Sequence, residues 1–225
     1  MASGDARAST VYTRQLAHPE CRRAAQLHLS GLSEDFIARF GEKFLERYYL
    51  ASLDSPFAEV IAASDPANGE VLGILLGVFD TPAHYSFLLK RHGISLALRA
   101  ATRSIADPAL GLDLLRSRGT RYVRGVVRSF TSSAQREENL SNERVGLLAH
   151  LVVDRDRRSL GIGRILVESY EARAHEFGLE RLELVTHPGD RGAGAFYRRL
   201  GWTHSEDRVS RSGEPFELYV KQMPA

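Results

Sequence analysis

LLAHLVVDRDRRSLGIGRILVESYEARAHEF, residues 147–177, is the stretch of sequence that decides the fold of this chain. It opens with an apolar run, LLAHLVV, which is typical of a buried strand. A polar segment with two glycines follows, and apolar residues then recur with the 3.6-residue period of a helix. The residues on that apolar side are Ile162, Ile165, Leu166, Tyr170, Ala174 and Phe177. The stretch therefore predicts a strand, a glycine loop and a helix that packs on a sheet.

The glycine loop has the features of an anion-binding site. The first N–H groups of a helix have no partner within the helix, and the helix dipole places positive charge there. Gly161 and Gly163 carry no Cβ, so the backbone can approach a phosphate group closely. The loop differs from the GxGxxG pattern because it lacks a third glycine, and from the Walker pattern because no Gly-Lys-Ser/Thr follows.

A second strand, loop and helix come next in the sequence. LELVTH at 182–187 has the composition of a buried strand, and AGAFYRRLGW fills residues 193–202. Together, the two stretches resemble the GNAT superfamily of N-acetyltransferases. Arg158-x-x-Gly161-x-Gly163 is similar to the loop that binds the acyl-CoA pyrophosphate in that family, and the 193–202 segment is similar to its second signature. The resemblance is clearest over residues 145–220.

The resemblance implies an α/β fold of the GNAT type, in three layers. Its central sheet is mixed and mostly antiparallel, is flanked by helices, and has a V-shaped splay between strands 4 and 5. The hydrophobic pattern predicts strands at 11–16, 57–62, 71–79, 146–153 and 182–186, and a closing hairpin at 202–209 and 216–220. It predicts helices at 19–29, from an N-cap at Ser33 to Tyr49, at 161–177 and at 192–200. Residues 81–143 are expected to form a mostly helical insertion, with a strand at 122–130 as an alternative.

Length and composition are those of an ordinary folded protein. The chain has 225 residues, of which 43% are hydrophobic and 26% charged, so we expect a single domain over residues 10–225 after a flexible tail at 1–9. Cys21 is the only cysteine, which excludes an internal disulfide bond and thiolate metal clusters. No apolar run has the ~18–20 residues that a membrane span needs. The N-terminus lacks the apolar core of a signal peptide, and we therefore expect a cytoplasmic protein.

The net charge of +2 hides a strongly basic block. Between Lys90 and Arg136, ten basic residues are opposed only by Asp107 and Asp113, which gives +8 there and therefore −6 elsewhere. Such a block indicates a solvated, salt-bridged face, a contact in a homodimer, or a surface that holds tRNA.

The resemblance implies that acetyl-CoA, or another acyl-CoA, is the co-substrate. In that family, backbone N–H groups of the fourth strand polarise the thioester carbonyl, and a tyrosine at the position of Tyr197 protonates the departing thiolate. A phenol with a pKa near 10 suits that acid role, while a core aromatic is the alternative reading of Tyr197. The candidate cofactor-binding residues are Leu151, Val152, Val153, Arg158, Ser159, Leu160, Gly161, Ile162, Gly163, Arg164, Asp190, Ala193 and Tyr197.

The general base is the open question of the sequence. The predicted fourth strand has no carboxylate, and His150 is its only titratable group. His150 is therefore either the general base or a hydrogen-bonded histidine that packs in the sheet. Strand alternation places His150 on the opposite face from Leu151 and Val153 unless a bulge intervenes. His187 is a second candidate. The other histidines, His28 among them, show no ligand spacing, and we expect no metal ion.

The acceptor side is less well defined by the sequence. The first helices line the acceptor site in the resembled family, so Glu42 and Tyr48 are candidate substrate contacts, although Tyr48 also belongs to an aromatic stripe that suits a core. Asp190 either caps the following helix or pairs with an amine acceptor.

The sequence therefore predicts an N-acyltransferase, most simply an N-acetyltransferase. The acyl group would pass from acyl-CoA to a small-molecule amine by direct attack in a ternary complex. Two alternatives stay open. One is an aminoacyl-tRNA-dependent acyltransferase that holds tRNA with the basic insertion, and the other is a non-catalytic GNAT-like domain that binds CoA or a partner protein.

Overall fold

The computed structural model describes residues 11–106, 143–189, 192–209 and 213–224. The strands in these ranges are β1 (Tyr12–Gln15), β2 (Ala58–Ser64), β3 (Val71–Val78), β4 (Val145–Val153), β5 (Arg181–Thr186), β6 (Thr203–Val209) and β7 (Pro215–Gln222). They form one sheet in the order β1-β2-β3-β4-β5-β7-β6. Neighbouring strands are antiparallel except β4 and β5, which are parallel, and the predicted mixed sheet is thereby confirmed.

Helices cover both faces of this sheet. They are α1 (Cys21–Gly31), α2 (Glu42–Leu53), α3 (Thr81–Phe87), α4 (Gly93–Ala106), α5 (Ile162–Glu176) and α6 (Gly194–Arg199). A π-helical turn, Leu88–His92, joins α3 to α4. Neighbouring residues of the central strand β3 face opposite sides, as the period of two requires. Ile74 packs with Leu27 and Tyr49 of the first two helices, whereas Leu75 packs with Leu166 and Tyr170 of α5.

The two central parallel strands separate after a short contact. β4 and β5 pair only at Val145–Arg181, Gly146–Leu182 and Leu147–Glu183. The remainder of β4 continues to Val153 alongside β3 alone. This is the V-shaped splay that the resemblance predicted between strands 4 and 5, and it leaves one edge of β4 open.

A bulge interrupts β4 at the mouth of the splay. Leu76 pairs with His150, but the next residue of β3, Gly77, pairs with Leu148, so Ala149 is an extra residue. His150 lies on the face covered by α1 and α2, opposite to Leu151 and Val153 as strand alternation requires, and its ring meets Tyr48 there. The bulge places Ala149 on the same face as His150.

One predicted helix is divided in the structure. Residues 33–49 were expected to form a single helix capped by Ser33. Instead, a 3-10 helix spans Phe36–Phe40, and α2 begins only at Glu42. Gly41 separates them with φ +81°, which ends the first helical turn and redirects the chain. The residue that precedes the 3-10 helix is Asp35, so the expected N-cap at Ser33 is wrong.

The first part of the expected insertion, residues 81–106, is helical as predicted. Most of the basic block and the alternative strand at 122–130 lie outside the described residues, as do the expected tail at 1–9 and Asp190. No helix in the described ranges is both long and apolar enough to cross a membrane.

Candidate functional site

The loop between β4 and α5 exposes its backbone to solvent. Residues 155–161 are all exposed, and the chain takes left-handed backbone angles at Ser159 (φ +64°) and Gly161 (φ +79°). Gly161 is the N-cap of α5, and no side chain caps the free amides of that helix. The first turn contains no acidic residue that would repel an anion. The loop therefore offers unpaired N–H groups at the positive end of a long helix, which suits a diphosphate.

Arg158 in this loop and Arg164 in the first turn of α5 make different contacts. Arg158 reaches back to β4, where its Nε lies 3.4 Å from the Val153 carbonyl oxygen. Arg164 forms only an exposed pair with Glu168, at 3.5 Å, within α5. Pairs of this kind contribute little, so either guanidinium group can turn to a phosphate at small cost.

The open edge of β4 presents specific amides to the splay. The Asp154 N–H donates to the Leu72 carbonyl oxygen of β3 at 2.8 Å. Because backbone direction alternates along a strand, Val152 also points to β3, whereas Leu151 and Val153 point into the splay. Of the three residues expected to donate to a thioester, Val152 is thus directed away from the splay.

Tyr197 lies in α6 next to the splay. Its side chain is buried beside Phe196 and Trp202, with ring centroids 5.1 and 5.8 Å away. Burial raises the pKa of Tyr197, so the phenol stays protonated at neutral pH. Within the described ranges, its hydroxyl group makes no hydrogen bond. The predicted cofactor contact Ala193 begins α6, and its N–H donates to Thr186 Oγ1 at 2.9 Å.

His150 belongs to a cluster that the sequence did not reveal. Its Nε2 lies 3.3 Å from the hydroxyl of Tyr48, and its Nδ1 lies 3.5 Å from an oxygen of Asp35. The same Asp35 oxygen is 3.3 Å from His28 Nε2, and His28 Nδ1 is 2.8 Å from the Tyr49 hydroxyl. One carboxylate thus stands between two imidazoles, each of which meets a phenol at its other nitrogen.

The cluster shifts the pKa values of its members. Burial lowers the pKa of His150 to about 4; His28 lowers it further, and the charge of Asp35 opposes the shift. Burial raises the pKa of Asp35, but the contacts with His28 and His150 outweigh burial, and the net pKa lies below its usual value. Mainly through burial, the pKa values of Tyr48 and Tyr49 lie well above 10. At neutral pH, Asp35 is therefore charged, and His150 is neutral and able to accept a proton.

A cavity of about 250 Å³ opens near the end of β5. Its lining includes Glu34 from the segment before α2, His187 just after β5, and Glu214 and Pro215 at the β6–β7 turn. His187 therefore opens onto this cavity, whereas His150 lies within the cluster. Glu42, a predicted acceptor contact, pairs instead with Arg22 of α1 at 2.8 Å.

Sequence reasoning missed His28, Asp35, Glu34 and Glu214. His28 and Asp35 show no ligand or triad spacing, because α1, its following loop and β4 come together only in the folded sheet. The single sequence signal was the pair of acidic residues Glu34-Asp35, which the helix dipole also explains.

Comparison with known proteins agrees with this geometry. The family model described as "Acetyltransferase (GNAT) family" matches residues 117–202, which include the glycine loop and Tyr197. No curated protein matches the sequence.

Solved structures with the same fold cover nearly the whole chain. An aminoglycoside 6'-N-acetyltransferase complexed with coenzyme A is 12% identical, with a TM-score of 0.57 over 95% of this chain and 98% of that one. A Drosophila melanogaster polyamine N-acetyltransferase is 13% identical, with a TM-score of 0.57 over 94% and 99%. The ribosomal-protein-S18-alanine N-acetyltransferase from Escherichia coli is 14% identical, with a TM-score of 0.55 over 96% of each chain. At these identities the likeness concerns the fold, which is the fold of N-acetyltransferases. The family model adds that residues 117–202 are similar in sequence to the GNAT acetyltransferases.

Proposed function

We propose that this protein transfers the acetyl group of acetyl-CoA to an amine of a small, positively charged molecule by direct attack in a ternary complex. The observation that carries the proposal is the geometry of β4. This strand offers the unpaired Leu151 amide to the splay and, one residue earlier, holds His150 on the α1/α2 face. A polarising donor and a base therefore stand next to each other on one rigid strand.

Each chemical task then has a residue. The loop amides from Ser159 to Gly163, with Arg158 and Arg164, hold the diphosphate. The N–H groups of Leu151 and Val153 polarise the thioester carbonyl. The amine nitrogen attacks that carbonyl carbon and passes a proton towards His150, and the C–S bond breaks as Tyr197 donates its phenolic proton to the thiolate.

The charge around the cavity supports a cationic acceptor. The carboxylates of Glu34 and Glu214 line the cavity, and the imidazole ring of His187 lines it as well. Because the chain carries −6 outside the basic block, a polyamine-like or aminosugar-like ligand suits this surface better than an anionic one. Structural neighbours include polyamine and aminoglycoside acetyltransferases, which fits such an acceptor.

Binding can be tested without knowing the acceptor. Acetyl-CoA at about 100 times its Kd should stabilise the protein by about 2.7 kcal/mol, a rise in Tm of about 5–10 °C for a chain of this size. Gly161→Val, which forces a side chain into a left-handed position at the loop, should abolish the shift. An unchanged shift in Gly161→Val would mean that acetyl-CoA binds elsewhere.

Turnover is tested by release of free thiol from acetyl-CoA with a panel of amines. Diamines and aminosugars should react faster than neutral amines or peptides, and Tyr197→Phe should lower kcat by about 100-fold with little change in KM. Glu34→Gln should raise KM for the cationic amine and leave KM for acetyl-CoA unchanged. Binding of acetyl-CoA with no thiol release from any amine would favour the non-catalytic alternative.

A further inference from the structure

The cluster around His150 is more extensive than a single base requires. Tyr48, His150, Asp35, His28 and Tyr49 form a continuous chain drawn from α1, the following segment, α2 and β4. The two imidazole rings also meet edge to face, with centroids 4.9 Å apart. Two histidines thus contact one carboxylate, and a tyrosine contacts each histidine.

Asp35 fixes the tautomer of the two neutral rings, because a carboxylate only accepts hydrogen bonds and therefore favours an N–H on the nitrogen that faces it. His150 Nε2 and His28 Nδ1 are then acceptors, to which the hydroxyl groups of Tyr48 and Tyr49 can donate. The ring-to-carboxylate distances of 3.3 and 3.5 Å exceed the usual length of an N–H···O bond, so these contacts are mainly electrostatic. Asp35 therefore selects one tautomer of His150, in which Nε2 is the basic atom.

The exposure of these side chains is greatest at Asp35, in the middle of the series, and falls on both sides of it. The His28 side chain is fully buried, that of His150 is 13% exposed, and that of Asp35 is 29% exposed. The His28–Tyr49 branch ends in the core, because Tyr49 is also fully buried. Among these groups Asp35 is the most exposed to solvent.

We propose that Asp35 is a positioning residue that holds His150 in its Nδ1–H tautomer and forms the solvent end of a proton exit path, while His28 and Tyr49 fix its carboxylate. This inference rests on the proposed acetyl transfer. It adds residues from the α1–α2 segment to a reaction otherwise assigned to β4, the glycine loop and α6.

The protons balance along this path. As the amine forms its C–N bond, its proton passes to the Tyr48 oxygen while the Tyr48 proton moves to His150 Nε2. The resulting imidazolium lies beside the Asp35 charge and releases its Nδ1 proton to water at Asp35. After product release, Nδ1 takes up a proton from water at Asp35 while the Nε2 proton leaves through Tyr48 to solvent, which restores the Nδ1–H tautomer. Tyr197 gives its proton to the thiolate and regains one from solvent, so no net charge remains in the site.

The test uses the full-length protein and four carboxamide variants, of which His150→Gln tests the base itself. Asp35→Asn should lower kcat about tenfold or more, with KM for acetyl-CoA unchanged. Asp54→Asn is the matched control, because Asp54 also lies between two imidazoles, His18 at 3.3 Å and His92 at 3.4 Å, but away from β4. It should retain wild-type kcat. His28→Gln completes the set.

The pH profile of kcat separates positioning from a merely structural role. The groups that face His150 are His28 from α1, Asp35, Tyr48 from α2 and, more distantly, His84 from α3. The negative charge of Asp35 favours protonated His150 and His28 disfavours it. Asp35→Asn should therefore move the acidic limb to lower pH, and His28→Gln should move it to higher pH.

The outcomes distinguish this inference from the proposed function. If His150→Gln retains full activity, the base assignment itself fails. If His150→Gln is slow but Asp35→Asn matches Asp54→Asn in kcat and in pH profile, only the role of Asp35 is overturned. Should His28→Gln fail to fold, the comparison of Asp35→Asn with Asp54→Asn still decides the matter.

Discussion

At the scale of single residues, Gly77 makes room for one buried tyrosine. The Tyr170 hydroxyl lies 3.1 Å from the carbonyl oxygens of Val78 and Leu147, so it ties β3 to β4 beside the splay. A Cβ on Gly77 would overlap the Tyr170 ring. Gly77→Ala should therefore lower the free energy of unfolding by about 1–3 kcal/mol, measured by urea denaturation. A methyl group at Gly93 meets no atom within 4 Å, and Gly93→Ala should be neutral or slightly stabilising. Equal effects of the two substitutions would contradict this account.

The same scale shows where sequence reasoning reached its limit. The alternation of β4 predicted that His150 lies opposite to Leu151 and Val153, but it did not predict the extra residue Ala149, which changes the faces of the residues before it. A bulge arises from the pairing of two strands, so a pattern read along one strand does not contain it. The glycine loop was easier to predict, because its function depends on backbone groups and on local glycines.

At the scale of elements, the division of the predicted 33–49 helix carries a testable consequence. Apolar residues keep a helical period through this segment, and the prediction therefore ran across Gly41. In the structure Gly41 has φ +81° and ψ 179°, a region that is almost restricted to glycine. Gly41→Ala should lower the free energy of unfolding by about 1–3 kcal/mol although no atom obstructs the new methyl group. Gly93→Ala is again the control, since its φ of −55° is helical.

Because Gly41 connects Asp35 to the helix that bears Tyr48, the same substitution also tests the site. If Gly41→Ala changes stability but leaves kcat intact, the cluster tolerates movement of that segment. Most other elements were predictable, because strands and helices with one buried face have a strong period. The division at Gly41 could not be predicted from the sequence, because a lone glycine inside a helical pattern is compatible with a continuous helix.

At the scale of the whole molecule, the candidate site is made by elements that are distant in sequence. Its side chains come from α1, the α1–α2 segment, β4 and the β6–β7 turn, and they lie as far apart in sequence as His28 and Glu214. The sequence predicted the cofactor side because its two signatures are local. It did not predict the carboxylates Glu34, Asp35 and Glu214, which become neighbours of the histidines only after the sheet has assembled.

The two histidines with the strongest shifts make global stability depend on pH. Burial lowers the pKa of His84 to about 4 and is the main cause of the same shift in His150. His84 is fully buried, and its Nδ1 lies 2.9 Å from Ser55 Oγ. In the unfolded chain both rings titrate near 6.5, so between pH 6.5 and 4 the unfolded state binds more protons than the folded state.

The free energy of unfolding should consequently be constant above about pH 7 and should fall as the pH drops towards 4, by at most about 1.4 kcal/mol per pH unit for each histidine. Three carboxyl groups also have a lowered pKa, namely Glu20, Asp35 and Asp154. Their contribution to stability is lost at still lower pH, when they become protonated. Urea denaturation from pH 8 to 4.5 measures the slope. His84→Gln should reduce the slope because it removes one of the titrations, while His150 and His92, whose pKa burial also lowers, continue to contribute. A flat profile between pH 7 and 5 would mean that these rings become protonated without unfolding, and the burial of both would then have to be reconsidered.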